Sequence, residues 1–127
     1  MSPLEPIAPR PESTARGRIL DGRRIAAQVR RQVATAVAAR VQDGRPQPGL
    51  AVILVGSDPA SEIYVRNKHR ACDEAGITST VMALPAAVRQ ADLLAEVARL
   101  NDDARIHGIL VQSPLSPHID PNAVIDA

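Results

Sequence analysis

Apolar and polar residues are arranged along this chain in two patterns, which predict a helix followed by a strand. Beginning near residue 23, apolar residues recur at every fourth position: Ile25, Val29, Val33, Val37 and Val41. This spacing places them on one face of a helix over about residues 23–42. The next segment, GLAVILVG at residues 49–56, is continuously apolar over the length of a strand. Such runs are typical of strands that are buried on both faces of a parallel sheet.

Helices and strands are predicted to alternate to the end of the chain. The further elements are helices over about residues 59–75 and 89–103, strands over residues 77–84 and 108–112, and a last helix that starts near Asn122. Asp21 is expected to cap the first helix, and either Ser57 or Asp58 the second, which Gly76 ends. This order predicts an α/β fold, a three-layer α/β/α domain with a mostly parallel sheet.

The folded domain is predicted to span residues 18–127. The preceding residues 1–17 hold four prolines, which cannot propagate a helix or a strand ladder: Pro3, Pro6, Pro9 and Pro11. A disordered or extended tail is therefore expected there. The 127 residues are 45% hydrophobic and 23% charged, which suits one globular domain.

The composition excludes several classes of function. The formal net charge is +1 and no block of Lys and Arg is dense enough for a nucleic-acid interface, so no nucleic-acid partner is expected. A single cysteine, Cys72, excludes an intramolecular disulfide and a cysteine-based metal cluster. No apolar run has the length of a membrane span and the N-terminus lacks a signal peptide. The predicted location is therefore the reducing cytoplasm, without a membrane partner.

Motifs for cofactors and metals are missing from the sequence. No two glycines form a GxG pair, so the dinucleotide fingerprint and the Walker A loop are both absent. The histidines lack metal-ligand spacing, and neither a cofactor nor a metal site is predicted within the chain. His69 is expected on a helix surface and His107 in a turn, which leaves His118 as the histidine that could touch a ligand.

Two segments follow the carboxyl ends of predicted strands, which is where open parallel sheets bind ligands. One follows Val55 and the other follows Val111. On the helix beyond Val55, four residues with functional side chains share one face: Ser61, Tyr64, Lys68 and Cys72. A lysine on that face would be partly desolvated, which favours its neutral form and suits it to acid–base catalysis near neutral pH.

Spacing alone favours a simpler interpretation of the same residues. Tyr64 could be an aromatic residue at the rim of the fold, and Lys68 a surface charge that extends its stem over apolar surface. Gln112 ends the third strand, which is expected to be buried, and a buried amide needs hydrogen-bond partners, which loop carbonyl groups could supply. Cys72 is more often a small core residue than a nucleophile, and Asp120 is expected in a turn or a cap.

Two long motifs in the right order favour a functional interpretation of these residues instead. VGSDPASEIYVRNKHRACDEAGI, at residues 55–77, and GILVQSPLSPHID, at residues 108–120, resemble the two signatures of the bifunctional methylenetetrahydrofolate dehydrogenase/methenyltetrahydrofolate cyclohydrolase family. The stretches ILDGRRIAAQVR and LNDDARIHG also fit that family. The resemblance covers about residues 18–127, which is the whole of the predicted folded region.

The resemblance implies a reaction and a role for each site residue. The reaction is oxidation of 5,10-methylenetetrahydrofolate with NADP, followed by hydrolysis to 10-formyltetrahydrofolate, within the one-carbon metabolism that serves purine biosynthesis. Lys68 corresponds to the main catalytic residue of the hydrolysis, Tyr64 to the residue that packs against the pterin, and Gln112 to the residue that sets the protonation of the lysine. Further positions are expected to line the folate site: Ser61, Val111, Ser113 and Pro114.

The chain departs from the family pattern in two places. Family members continue beyond the position of Ala127 through an Asp-Gly stretch into a Rossmann domain that binds NADP, so the NADP site is expected outside this chain. A homodimer is expected only for the full-length family. The family loop usually reads Gln-Leu-Pro-Leu-Pro, and here Ser113 and Ser116 replace the first Leu and the second Pro. These polar residues are expected either to weaken packing beside the folate site or to loosen the loop.

The sequence therefore leaves three interpretations of the function of this chain. The first is the folate-binding catalytic domain of the family, either as a fragment or as a truncated gene product. The second is a non-catalytic module that binds folate or a partner, or an inactive fragment. The third is an unrelated α/β domain in which Tyr64 and Lys68 are surface residues, and burial of Lys68 near Gln112 would count against it.

Overall fold

A computed structural model of the protein describes residue 17 and residues 19–127. The tail predicted at residues 1–17 lies outside the described residues except for Gly17. Within them, helices and strands alternate as follows: α1 (Gly22–Gln42), β1 (Gly49–Val55), α2 (Pro59–Ala75), β2 (Thr78–Leu84), α3 (Gln90–Asn101), β3 (Gly108–Val111) and α4 (Pro121–Ile125). Every predicted helix and strand is confirmed, with bounds that differ by no more than two residues.

The strands form a parallel sheet in the order β2-β1-β3. In the register of the sheet, Ile53 of β1 lies opposite Met82 of β2 and Val111 of β3. Because β1 is paired on both sides and covered on both faces, all of its residues except Leu50 are buried, which explains its continuous apolar run. Within the described residues β3 is an edge strand and only half-buried, so the expectation of a buried third strand is wrong.

Two apolar clusters cover the faces of β1 and make the three layers. On one face, residues of β1, α3 and the loop before α4 pack together: Ala51, Ile53, Val55, Leu93, Val97, Leu100 and Ile119. On the other face, Val52 and Leu54 pack against Val65 of α2. Helix α1 packs on α2, with Val37 buried. The three-layer α/β/α prediction is therefore confirmed.

Side chains at the helix ends act as the sequence predicts. Asp21 caps α1 by accepting a hydrogen bond from the Arg24 N–H at 3.1 Å. Of the two candidates for the cap of α2, the structure assigns Asp58. Gly76 ends α2 with a φ of 78°, a left-handed conformation that glycine adopts without steric cost. These caps fix where α2 begins and ends relative to β1.

The described residues include four helices. No helix among them combines the length and the apolar character that crossing a bilayer requires.

Removal of a core side chain tests the layer arrangement. Leu93 is fully buried between α3 and β1, so Leu93→Ala should lower the free energy of unfolding by about 2–5 kcal/mol. Urea unfolding followed by circular dichroism measures this loss. The control is Ile63→Ala on α2, where the side chain is 54% exposed. Equal losses in the two variants would contradict the arrangement.

Candidate active site at the carboxyl ends of the strands

The parallel pairing of β1 with β3 brings the two candidate segments together. Both strands end at the same edge of the sheet, and the Gln112 N–H extends the ladder by donating to the Ile53 carbonyl at 2.9 Å. Beyond β1 the chain turns at Gly56, with a φ of 80°, and enters α2 at Pro59. The start of α2 and the residues after β3 therefore lie side by side, at the edge where open parallel sheets bind ligands.

A hydrogen bond joins the two segments at the centre of the site. The Lys68 ammonium donates from Nζ to Gln112 Oε1 at 2.8 Å, across 44 positions of sequence. Gln112 Nε2 donates to the Ser113 carbonyl at 3.0 Å, and this second bond turns the amide oxygen towards the lysine. Lys68 and Gln112 are both half-buried. A hydrogen bond from a charged donor contributes about 1.5–3 kcal/mol, so the pair is held in place before any ligand binds.

Tyr64 lies on the open side of this pair. Lys68 Nζ is 5.5 Å from the centre of the Tyr64 ring, within the range of a cation–π contact. The ring is 60% exposed, as the rim interpretation predicts for this residue. The exposed ring is free to stack on a flat heterocycle, and the lysine and the amide beside it supply the polar groups. Tyr64 is the only aromatic residue of the chain and Lys68 its only lysine.

Ser61 ties α2 to the loop after β3. Its side chain is buried, with 3% of the residue exposed. Ser61 Oγ lies 2.8 Å from Asp58 Oδ2 and 3.2 Å from the Ser113 carbonyl oxygen, so one hydroxyl proton is shared between two acceptors. In the free chain, the hydroxyl that was predicted to bind substrate is thus engaged within the protein and fixes Ser113 relative to α2.

Asp58 is the acidic group of the site. Its Oδ2 accepts a hydrogen bond from the Ser61 N–H at 2.9 Å and another from the Ser61 hydroxyl. The backbone bond first, and the hydroxyl second, lower the pKa of Asp58 from its usual value of 3.8. The carboxylate is therefore charged at neutral pH at the N-terminus of α2, where the helix dipole favours a negative charge.

The remaining predicted residues have simpler surroundings. Val111 is half-buried at the end of β3, and Ser113 and Pro114 are exposed beside it. Cys72 is buried, and this burial raises the pKa of its thiol, with a smaller contribution from the charge of Asp73. Cys72 is therefore a small core residue, as the sequence favoured.

The three histidines occupy structural positions. His107 Nδ1 accepts a hydrogen bond from the Gly49 N–H at 3.0 Å in the turn before β3, as predicted. His69 lies on the surface of α2 beside Asp73, also as predicted. His118, which was expected to be able to touch a ligand, has Nε2 2.7 Å from the Val88 carbonyl oxygen.

The sequence did not reveal what anchors the loop. Ser116 was expected to loosen it, but its hydroxyl donates to the Ala86 carbonyl at 2.7 Å. The Asp120 N–H donates to Gln90 Oε1 at 2.8 Å. Each of these partners is 30 positions away in the chain, and no local pattern predicts such a pairing. The bond between Asp58 and Ser61 could have been found, because D-x-x-S before a helix is a cap pattern.

The start of α2 does not suit a dinucleotide phosphate, and the described residues group no set of metal ligands. At the N-terminus of α2 the cap is the carboxylate of Asp58 and the first position is Pro59, which has no N–H. A pyrophosphate would meet a negative charge there instead of free N–H donors. Among the described residues, no three His, Cys, Asp or Glu side chains are grouped to hold a metal ion.

The interpretation as an unrelated α/β domain does not fit this geometry. It required both Tyr64 and Lys68 to be solvent-exposed surface residues. Tyr64 is exposed, but Lys68 is half-buried and bonded to Gln112.

Comparison with known proteins gives consistent matches. Residues 20–127 match the family described as tetrahydrofolate dehydrogenase/cyclohydrolase, catalytic domain. The bifunctional protein FolD of Moorella thermoacetica is 60% identical over 109 residues, which cover 86% of this chain and 39% of that protein. FolD of Rhodopseudomonas palustris is 56% identical over 110 residues, covering 87% of this chain and 37% of its own length. The chain therefore spans well under half the length of these relatives.

Solved structures agree with the sequence matches. The bifunctional FolD of Campylobacter jejuni superposes with a TM-score of 0.81 at 40% identity, over 84% of this chain and 38% of that one. The Trypanosoma brucei enzyme, solved in complex with NADP cofactor and an inhibitor, gives a TM-score of 0.79 at 37% identity, over 85% of this chain and 37% of that one.

The pH dependence of stability tests the role of Asp58. Because folding lowers its pKa, the ionised carboxylate stabilises the fold above pH 3.8, and this contribution is lost as the pH falls through the lower folded pKa. Asp58→Asn keeps a capping oxygen but removes the charge. The variant should melt at a lower temperature than the wild type at neutral pH, and the difference should shrink as the pH falls below 3.8.

Thermal melts between neutral pH and pH 2 measure this difference. Asp43→Asn, at the C-terminal end of α1, corrects for the loss of one negative charge elsewhere. If the difference in melting temperature between Asp58→Asn and the wild type stayed constant with pH, the charge of Asp58 would not contribute to the stability of the fold.

Proposed function

Since this chain belongs to the tetrahydrofolate dehydrogenase/cyclohydrolase family, we propose that it binds a folate and carries the residues that hydrolyse 5,10-methenyltetrahydrofolate to 10-formyltetrahydrofolate. The catalytic domain is proposed to span residues 18–127. The observation that supports this function best is the Lys68–Gln112 hydrogen bond beside the exposed Tyr64 ring. A flat pterin needs an aromatic wall, and ring opening needs a group that moves protons.

In this mechanism, Lys68 acts on the water that attacks the methenyl carbon. Water adds to that carbon and gives up one proton, which leaves a hydroxyl on the carbon. The carbon–N5 bond then breaks as N5 receives a proton, and the hydroxyl loses its proton to become the formyl carbonyl. The formyl group stays on N10, and the overall reaction releases one proton. Lys68 accepts the proton of the water as a neutral amine and delivers a proton to N5 as an ammonium, while Gln112 holds its nitrogen at the reacting carbon through the bond at 2.8 Å.

Folate is proposed to lie across the surface between α2 and the loop after β3. Tyr64 packs on the pterin with the face that is now open to solvent. The backbone from Val111 to Pro114 lines the other side, where Ser61 holds the Ser113 carbonyl in place. These contacts would orient the methenyl group towards Lys68.

The dehydrogenase reaction depends on residues beyond those of this site. NADP is proposed as the hydride acceptor of the full-length enzyme, whose function is one-carbon metabolism that serves purine biosynthesis. The capped start of α2 does not fit its phosphates, and no hydride step is assigned to the residues that the structure describes. The buried thiol of Cys72 is consistent with a reducing cytoplasm. A homodimer is proposed for the full-length protein only.

A second candidate function is a folate-binding module without turnover. It is favoured by the open face of Tyr64, whose ring is 60% exposed beside the Lys68–Gln112 pair. The module would hold a folate on this surface without excluding water from the reacting carbon. Calorimetric titration with tetrahydrofolate, together with a hydrolysis assay on the same chain, separates the two functions, because binding without turnover indicates the module.

Replacement of the lysine tests the catalytic assignment. Lys68→Met should lower the rate of 5,10-methenyltetrahydrofolate hydrolysis by about 100-fold or more, since a positioned acid–base group contributes roughly 10²–10⁴-fold. The loss of the methenyl absorbance measures the rate. Arg66→Met is the matched control, because it removes the same charge from an exposed position of α2 two residues away. An unchanged rate in Lys68→Met would exclude the role of Lys68.

Replacement of the aromatic ring tests the binding assignment. Tyr64→Ala should weaken tetrahydrofolate binding by roughly three- to tenfold, which is the contribution of one stacked aromatic pair. Tyr64→Phe keeps the ring and should bind like the wild type. Isothermal titration calorimetry gives both affinities. If Tyr64→Ala bound as tightly as Tyr64→Phe, the pterin would not lie on this ring.

A further inference from the structure

The loop that carries Gln112 lacks regular structure of its own. This β3–α4 loop, residues 112–120, begins at the catalytic amide and ends at Asp120, which caps α4. At its near end the Gln112 N–H donates to the Ile53 carbonyl. Ile119, 3% exposed, inserts into the core near its far end, and Leu115 packs against the same core. Side-chain hydrogen bonds attach the loop further.

Three hydrogen bonds join this loop to the residues that lead from β2 into α3. Ser116 Oγ donates to the Ala86 carbonyl at 2.7 Å, His118 Nε2 lies 2.7 Å from the Val88 carbonyl oxygen, and the Asp120 N–H donates to Gln90 Oε1. Of the three loop residues, Ser116 is nearest to Gln112 in the chain.

The segment that receives the Ser116 and His118 bonds is also attached to the other side of the site. This β2–α3 connection, residues 85–89, follows Leu84, whose carbonyl accepts a hydrogen bond from the Gly56 N–H at 2.9 Å. Gly56 forms the turn before α2, and a Cβ atom at Gly56 would lie 3.5 Å from the Ala86 Cβ. Ala86 therefore lies next to the turn before α2 and accepts the Ser116 bond as well.

We propose that Ser116 is a positioning residue: its bond to Ala86 sets the distance between the β3–α4 loop and α2, and so aligns Gln112 with Lys68. The proposal rests on the proposed function, because it assigns Ser116 a part in the same hydrolysis. Ser116 acts through Gln112 and does not touch the substrate. Deleting its hydroxyl allows the near end of the loop to shift, and the 2.8 Å bond to Lys68 is then made for a smaller fraction of the time.

The single lysine of the chain gives a direct measurement of this alignment. Protein prepared with carbon-13 lysine shows one set of lysine side-chain signals in NMR, all from Lys68. Ser116→Ala should move the signals of the ε-methylene group, and Ser116→Thr, which keeps a hydroxyl, should return them to the wild-type position. Thr35→Ala is the matched control, because it deletes another hydroxyl bonded to a backbone carbonyl, on α1. It should leave the signals unchanged.

Kinetics give a second readout that a purely structural role would not produce. Ser116→Ala should lower kcat for methenyltetrahydrofolate hydrolysis by about two- to tenfold, the factor that corresponds to one neutral hydrogen bond. KM should change less than kcat, because the surface around Tyr64 that binds the pterin is unaltered. Ser116→Thr should recover the wild-type kcat.

The outcomes separate this inference from the proposed function. Lys68 signals at the wild-type position in folded Ser116→Ala would overturn the inference, whatever the activity. Displaced signals in a chain that neither binds nor hydrolyses folate would support the alignment by Ser116 and reject the proposed function.

If Ser116→Ala does not fold, the pair Ser116→Thr and Ser116→Val decides, since the two differ mainly in the hydroxyl and the valine variant should displace the signals. Unfolding of both the Ala and the Val variants would assign Ser116 to general stability and would also overturn the inference.

Discussion

The parallel pairing of β1 with β3 is the constraint on which the site depends. It places the ends of both strands at one edge of the sheet, and the register sets Ile53 against Val111. From there Gln112 continues the ladder, and α2 returns above it with Lys68. A slip of one residue would turn the Gln112 side chain to the other face of the sheet and away from the lysine. The apolar clusters on both faces of β1 oppose such a slip.

A small group of hydrogen bonds fixes the position of the β3–α4 loop more closely than strand pairing alone does. Ser61 holds the Ser113 carbonyl against the start of α2, and Ser116 holds the same loop against the β2–α3 connection. The loop is thus attached on two sides close to Gln112. Neutral bonds of this kind contribute about 0.5–1.5 kcal/mol each, which is little for the stability of the fold but enough to select one arrangement of a short loop.

The site is open on the side of Tyr64. The ring is 60% exposed, and the only charged group that lies over it is Lys68 among the described residues. Relatives of this family are more than twice as long as the matched part of this chain. An open surface with a fixed lysine and amide fits either a catalytic half-site or a folate-binding module, and the physical difference is whether a second wall excludes water from the reacting carbon.

Short-range features of the sequence determined the elements of this fold. The fourfold spacing of α1, the apolar run of β1 and the caps at Asp21 and Gly76 act within a few residues, so they could be predicted with bounds correct to within two positions. The stretch around Tyr64 and Lys68 was identified as a site by its place after a strand and by its resemblance to a family motif.

The tertiary structure decided how side chains that are distant in the sequence meet. The resemblance implied that Gln112 acts on Lys68, 44 positions away, and the fold joins them by a hydrogen bond. The bond from Ser116 to Ala86, 30 positions away, had no signal in the sequence. It also decided that β3 is a half-buried edge strand and that Ser116 anchors the loop it was expected to loosen. Such contacts depend on strand order and register, which arise from packing across the sheet and leave no periodic pattern in the sequence.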